Sequence, residues 1–307
     1  MLSQCATSFL MVRPQFIRPN VQTASTNNFQ SEKLDDQEQE KKAIDEFNHI
    51  SRRLVQNDIS LIIFDNISPE CPDAVFPNNW ISFHHDGKVV LYPLMASNRR
   101  QERKHSFIAK IAEQFEISEV IDLTHFENEG KFLEGTGSVV FDHRHKTAYA
   151  SISPRTNTEV LKYLCDRIGY NYFTFHGTDG LQAVYHTNVL LHIGNEYAVI
   201  CFEAIPDIKE RNDLRRMLAF TGHEIVAVSI AQMKYFAGNM VQVVNQKGKY
   251  YTLLSSQAIR TLHLQQINVI GEKSELLTFD VQTIEKIGGG SIRCMLAEIF
   301  SPLKMAH

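Results

Sequence analysis

Several features are missing from the 307-residue sequence, and each absence closes a class of function. No apolar run approaches the roughly 20 residues that a membrane-spanning helix needs. No CxxC pair and no zinc-type Cys/His spacing occurs among the five scattered cysteines, Cys5, Cys71, Cys165, Cys201 and Cys294; such a set reads as free thiols in a reducing compartment. Basic charge is not in excess: the net charge is -4, which leaves nucleic acid and anionic membranes without an electrostatic handle. A basic leader is absent from the first residues, so a secretory signal is not expected. No stretch rich in Pro, Gly or Ser divides the chain, and residues 29–42 are merely polar. The expectation is one catalytic or binding domain spanning residues 1–307, cytoplasmic, with a small molecule as its partner.

What the sequence does contain is a repeat. Gly137 to Phe141, Asn188 to His192, Asn239 to Val243 and Gly290 to Cys294 each set a small or amide residue ahead of a strand-like run, at intervals of 51 residues. Asn79 to Phe83 is the same element 58 residues before Gly137. After the segments at 79, 137, 188 and 239 comes a turn containing Gly, Asn, Asp or His and a second apolar run, which reads as a hairpin. Helix-periodic stretches follow at Arg99 to Glu116, Thr158 to Ile168 and Ile208 to Phe220. One strand-strand-helix-strand unit cannot bury both faces of its sheet, so neighbouring units must pack around a common axis. The last unit is truncated. The run Phe9 to Val12, the helical stripe Ala43, Phe47, Ile50 and Leu54, and the strand Leu61 to Phe64 are placed to complete it. The predicted fold is α/β, a pseudo-fivefold ring of ββαβ modules.

In a ring, equivalent positions face the axis, so the starts of the repeated strands should converge. They hold Asn78, Asn79, Glu134, His186, Asn188, Asn239 and Cys294. Most lone cysteines are small buried apolar groups, and Cys5, Cys71, Cys165 and Cys201 fit that description. Cys294 differs: three glycines precede it, permitting a tight backbone and close approach of a ligand, and Arg293 adjoins it. Those glycines are not a phosphate cradle, because neither a following Lys-Ser/Thr nor the spaced third Gly of a dinucleotide site is present. His186 has the ring to serve a thiol as base and acid near neutral pH. Glu134 is a carboxylate that, buried at an axis, needs a cationic or N–H-rich partner. His84, His85, His143 and His145, in turns, are expected to be solvated.

At these residues the chain resembles the guanidine-modifying superfamily of arginine deiminases, amidinotransferases and dimethylarginine dimethylaminohydrolases, whose fold is a five-bladed α/β propeller with a central active site. Met11-Val12-Arg13-Pro14 resembles its opening strand, Pro72-Asp73-Ala74-Val75-Phe76 its PDxVF segment, and Arg99-Arg100-Gln101-Glu102 its RRxE segment. Glu134-Gly135-Thr136-Gly137 is similar to its EGGD, Ser153 to Asn157 to its SxRTN, and Gly288 to Cys294 to its nucleophile loop. The resemblance implies that Cys294 attacks the central carbon, that His186 protonates the leaving nitrogen and then activates water, and that Glu134 holds the substrate nitrogens. It further implies that Arg155 and one of Arg99 or Arg100 clamp the α-carboxylate, that Asp73 faces the α-ammonium or supports from behind, and that no metal or organic cofactor is required.

Two departures bear on the substrate. Phe76-Pro77-Asn78-Asn79 stands where arginine-cleaving members have F-x-x-D, and His186-Thr187-Asn188 stands where deiminases have HxD. Amides both accept and donate, which suits a neutral ureido group better than a guanidinium. The expected activity is a cysteine-dependent hydrolase of an arginine-like or citrulline-like amino acid, citrulline first, as in the related branch of citrulline-utilisation hydrolases. Arginine deiminase, methylarginine hydrolase or amidinotransferase chemistry, and a non-catalytic amino-acid-binding propeller, are the alternatives. Oligomeric state is not legible.

Overall fold

A computed structural model describes residues 2–30, 37–66 and 68–304, so part of the polar segment 29–42 lies outside the described residues. In chain order the strands are β1 (Ser8–Pro14), β2 (Ser60–Asn66), β3 (Ile81–Phe83), β4 (Lys88–Leu91), β5 (Glu119–Asp122), β6 (Val140–Asp142), β7 (Thr147–Ser151), β8 (Asn171–Phe175), β9 (Leu191–Ile193), β10 (Tyr197–Ile200), β11 (Glu224–Ala227), β12 (Val241–Val244), β13 (Tyr250–Ser255), β14 (Glu275–Phe279) and β15 (Ala297–Ile299). The architecture is mixed α/β. Hairpins join β3 to β4, β6 to β7, β9 to β10 and β12 to β13, and the second strand of each then pairs in parallel with a third. Parallel pairing demands a crossover, and helices such as Thr158–Ile168 and Ile208–Phe220 supply it.

Local chemistry sets these elements. Gly87 and Gly248, at φ +79° and +78°, occupy left-handed positions in two hairpin turns that a side chain would strain. The Asn157 side chain accepts from the amides of Glu159 and Val160 to start its helix, and Gly169 at φ +71° ends it. Val160, Leu161, Leu164, Cys165 and Ile168 form the buried stripe of that helix, each contributing roughly 1–3 kcal/mol by area.

The chain ends meet in one further triplet. β15 pairs antiparallel with β1, β1 parallel with β2, and the helix Gln37–Gln56 lies between the last two in sequence, with Ala43, Phe47, Ile50 and Leu54 buried. Ile299 of β15 pairs with Phe83 of β3, joining this triplet to the first hairpin module in a six-stranded sheet. The sequence period appears as contact between equivalent residues. The Asn78 amide donates to Thr136 Oγ1 at 3.2 Å, 58 residues on, and the Asn239 amide donates to the Asn188 carbonyl at 3.0 Å, 51 residues back.

Three expectations need correction. The repeated small and amide residues are not the first residues of strands: most lie on or beside single helical turns just before them, Pro77–Asn79, Gly135–Ser138, Thr187–Val189 and Ile292–Met295. The stretch Arg99 to Glu116 is not one helix; Ser97–Glu102 is a 3-10 turn and His105–Ile111 the helix. His84 and His143 are buried, not solvated, because the hairpin ends pack together: His84 Nε2 meets Ser82 Oγ at 2.9 Å and His143 Nδ1 meets Tyr170 Oη at 2.8 Å. Among the described residues no helix is long and apolar enough to cross a membrane.

Candidate functional site

The single turns carry the site. At the C-terminal end, the helix Gln282–Gly288 stops at Gly289, φ +66°. A Cβ there would lie 2.5 Å from Asn27 Nδ2, and one on Gly288 would lie 2.6 Å from the Phe76 ring, so glycine is required by close approach as well as by conformation. The turn Ile292–Met295 then presents Cys294, buried, with the Asn239 and Asn188 amides donating to its Sγ from 3.5 and 3.7 Å. Burial pushes the thiol pKa up, while hydrogen bonds from Ser291 and Asn239 and the charge of Arg293 pull the other way. Asn188 Oδ1 is buried with no partner.

His186 and Glu134 stand on neighbouring modules and meet: His186 Nε2 to Glu134 Oε2 is 2.8 Å. Glu134 Oε1 accepts the Met95 amide at 3.1 Å, and Arg155 Nη1 lies 3.5 Å from Oε2. Burial alone would raise the Glu134 pKa, but the Arg155 charge and then the His186 bond hold it well below the usual carboxylate range. His186 falls to about 4, from burial first and against the pull of Glu134, so its ring is neutral near pH 7. A neutral imidazole and a buried thiol lining one pocket, the imidazole oriented by a carboxylate, are the parts of a nucleophile-base arrangement.

Asp73 and Arg99 line the same pocket. Asn20 donates to Asp73 Oδ2 at 2.7 Å, Oδ1 is buried and unpaired, and burial raises this carboxyl's pKa. Glu102 takes one edge of the Arg99 guanidinium, Nε to Oε1 and Nη2 to Oε2, each 2.9 Å, and Nη1 donates to Asn79 Oδ1 at 2.8 Å. Burial carries Glu102 up to about 7 against that pairing. Asn79 donates in turn to Asn78 Oδ1 at 3.0 Å.

A segment over Asn20–Gln30 covers the pocket. Arg155 donates to Thr26 Oγ1 and the Thr23 carbonyl, stacks on Tyr185 at 5.0 Å, and Tyr185 Oη donates to the Gly289 carbonyl at 2.6 Å. About 10 Å³ of free space remains, room for about one water. Among the described residues no group of three His, Cys, Asp or Glu side chains is placed to hold a metal ion.

The pocket thus gathers Cys294, His186, Asp73, Asn79, Arg99 and Arg155, while Glu134 and Asn188 stand behind, bonded to His186 and to the thiol. Three residues expected to touch substrate are engaged within the protein. Arg100 is outside: its Nε donates to the Leu94 carbonyl at 3.1 Å and pairs with Glu127 at 3.2 Å. Each nitrogen of the Arg99 guanidinium is engaged within the protein, by Glu102, Asn79 and the Asp73 and Phe76 carbonyls. Both oxygens of Glu134 are engaged within the protein, Oε1 by the Met95 amide and Oε2 by His186 and Arg155. Sequence reasoning missed Asn20, Thr26, Asn27 and Tyr185. Tyr185 is signalled by its adjacency to His186; the three covering residues belong to no repeat and carried no local signal.

These features define a hydrolase of the guanidino-group-modifying superfamily, acting on carbon-nitrogen bonds other than peptide bonds. The chain belongs to the family described as N,N dimethylarginine dimethylhydrolase, eukaryotic, which matches residues 13–301. No curated relative matches the sequence. Similar solved structures include the N-terminal domain of ArgZ, an arginine dihydrolase from the ornithine-ammonia cycle in cyanobacteria, with TM-score 0.75, 15% identity, and coverage of 96% of this chain and 98% of that one. AgrE in complex with L-arginine gives 0.76 and 16%, over 97% of this chain and 41% of that one. A dimethylarginine dimethylaminohydrolase carrying S-methyl-L-thiocitrulline gives 0.66 and 15%, over 96% and 100%.

Proposed function

We propose that the protein hydrolyses the terminal carbon-nitrogen bond of a ureido or guanidino α-amino acid, with citrulline as the preferred substrate. The observation that carries the choice is Asn188: its amide donates toward Cys294 Sγ while its carbonyl oxygen is buried and unpaired. An uncharged acceptor beside the nucleophile suits a ureido N–H, and leaving it unfilled costs roughly 1–3 kcal/mol. Glu134, the nearest carboxylate to the His186 ring, is already bonded three ways and has little left for a guanidinium.

In this reading neutral His186 takes the Cys294 proton, Sγ bonds to the ureido carbon, and the imidazolium returns the proton to the departing nitrogen. Release of ornithine leaves an S-carbamoyl cysteine; His186 then deprotonates water, whose oxygen bonds to the carbamoyl carbon as the C–S bond breaks, releasing carbamic acid, and the imidazolium returns its proton to Cys294 Sγ. Asp73 Oδ1 takes the α-ammonium. Arg155 takes the α-carboxylate once the Thr23–Thr26 cover yields its fork. The five strand triplets are read as the blades of one α/β propeller forming a single catalytic domain, and the five unpaired cysteines fit a cytoplasmic setting.

Arginine is the second reading. Asp73, Glu102 and Glu134 outnumber Arg99 and Arg155 around the pocket, an excess of negative charge that favours a cation, although the raised Glu102 pKa offsets part of it. The test is separate incubation with citrulline, arginine and methylated arginines, with ornithine, citrulline and free amine quantified. Ornithine from citrulline is expected. Citrulline made from arginine, with none consumed, overturns the preferred substrate.

A further inference from the structure

A buried carboxyl that the mechanism does not use lies directly behind the nucleophile loop. Glu285, on the helix Gln282–Gly288, is 2% exposed. Its Oε1 accepts the Ser291 hydroxyl at 2.5 Å, and its Oε2 accepts the side-chain amide of Gln257, from the helix Ser256–Thr261. Its helix is itself fixed at the start, where both oxygens of Glu46 accept the amides of Thr283 and Ile284 at 2.9 Å.

Ser291 is the first residue after Gly288, Gly289 and Gly290 with a side chain to anchor. Three glycines in sequence supply close approach but no grip, and they raise the entropy lost when the loop is ordered. The Ser291 carbonyl accepts the Cys294 amide at 2.9 Å, closing the single turn that aims the thiol. Ser291 is therefore held at one end by Glu285 and itself holds the nucleophile at the other. From this geometry we infer that Glu285 is a positioning residue, acting through the Ser291 hydroxyl to fix the direction in which Cys294 Sγ points.

The inference rests on Cys294 being the nucleophile of the proposed function, but part of its test needs no substrate. Ser291→Ala, Glu285→Ala, Glu285→Gln and the double Ala variant are compared by the rate of Cys294 alkylation with iodoacetamide, resolved by peptide mass, and by steady-state turnover. Ser291→Ala is expected to slow alkylation and kcat about 10-fold with KM within about 2-fold, since a misdirected thiol lowers attack without altering ground-state binding. Glu285→Ala matches it and the double variant is no worse, because both remove one link. Glu285→Gln recovers to within about 3-fold, its amide oxygen still accepting the hydroxyl. A folded Ser291→Ala protein alkylated at the wild-type rate overturns the inference, as does a double variant whose losses multiply. Alkylation reports on the thiol whichever amino acid is the substrate, so a wrong substrate is told apart from a wrong positioning role.

Discussion

Both ends of the strand triplets are lined with buried polar side chains, yet one end is charged and the other neutral. At the end before the first strands, Glu134, Asp73, Arg99 and Arg155 form interlocking charged pairs, and two acceptor oxygens, Asp73 Oδ1 and Asn188 Oδ1, have no partner. At the hairpin end, Gln4 spends its side chain on the carbonyls of Phe141 and Ile193 and the amide of His143, and burial holds His84 near 4 and His192 near 3, as neutral rings. Unpaired atoms occur at both ends, since His84 Nδ1 is also buried without a partner, but only at the first end do they lie as oxygen acceptors among ionised side chains. The same 51-residue period builds both, so the repeat accounts for convergence, and the residue types decide which end does chemistry.

The sharpest way to break this comparison is to remove the thiol. Cys294→Ala is expected to abolish turnover, by roughly 10⁴-fold or more, with the midpoint of thermal unfolding moved by only a few degrees. Retained turnover in a steady-state assay refutes the nucleophile. Next in size is Glu134→Gln, which keeps a hydrogen-bond acceptor for His186 but removes the charge. A loss of about 10²–10³ in kcat is expected, in the range of general acid-base contributions. A loss confined to KM would return Glu134 to a substrate-gripping role.

The hairpin end should answer to pH through stability, not through kcat. For a histidine whose folded pKa lies below its unfolded value, protonation favours the unfolded chain; stability is complete above about 6.5 and falls as the pH drops toward the folded value. His84 alone is worth on the order of 3 kcal/mol by pH 4. Urea unfolding midpoints that stay constant between pH 7 and 4.5 would show that these rings are not the buried neutral groups described.

How much of this was legible in the sequence follows from what each feature depends on. The period and the hairpins were readable because turn chemistry and apolar runs are local, and the period placed Asn188 and Asn239 against Cys294. Burial of His84 and His143 was not, because a turn looks alike whether it ends in water or against other parts of the chain. Nor could the sequence show that Glu102, three residues from Arg99, takes the Nε and Nη2 edge of its guanidinium, since that depends on a side chain folding back along a 3-10 turn. The cover over Asn20–Gln30 was invisible for the plainest reason: it repeats nothing.

The smallest expected effect tests the most local of these corrections. Adjacent arginines in one motif are equivalent on paper, but the 3-10 turn sends them apart: Arg99 is buried in the pocket wall and Arg100 runs along the surface to Glu127. Glu127 is also bonded twice by Arg103, at 2.7 and 3.1 Å, so the carboxylate that Arg100 would leave behind remains paired. Arg100→Ala should therefore change kcat/KM by no more than about 2-fold and stability by at most about 1 kcal/mol, as for other partly exposed ion pairs. A KM raised 10-fold or more, measured on whichever amino acid is turned over, would mean that Arg100 swings into the site when the cover opens and would restore it as the carboxylate clamp.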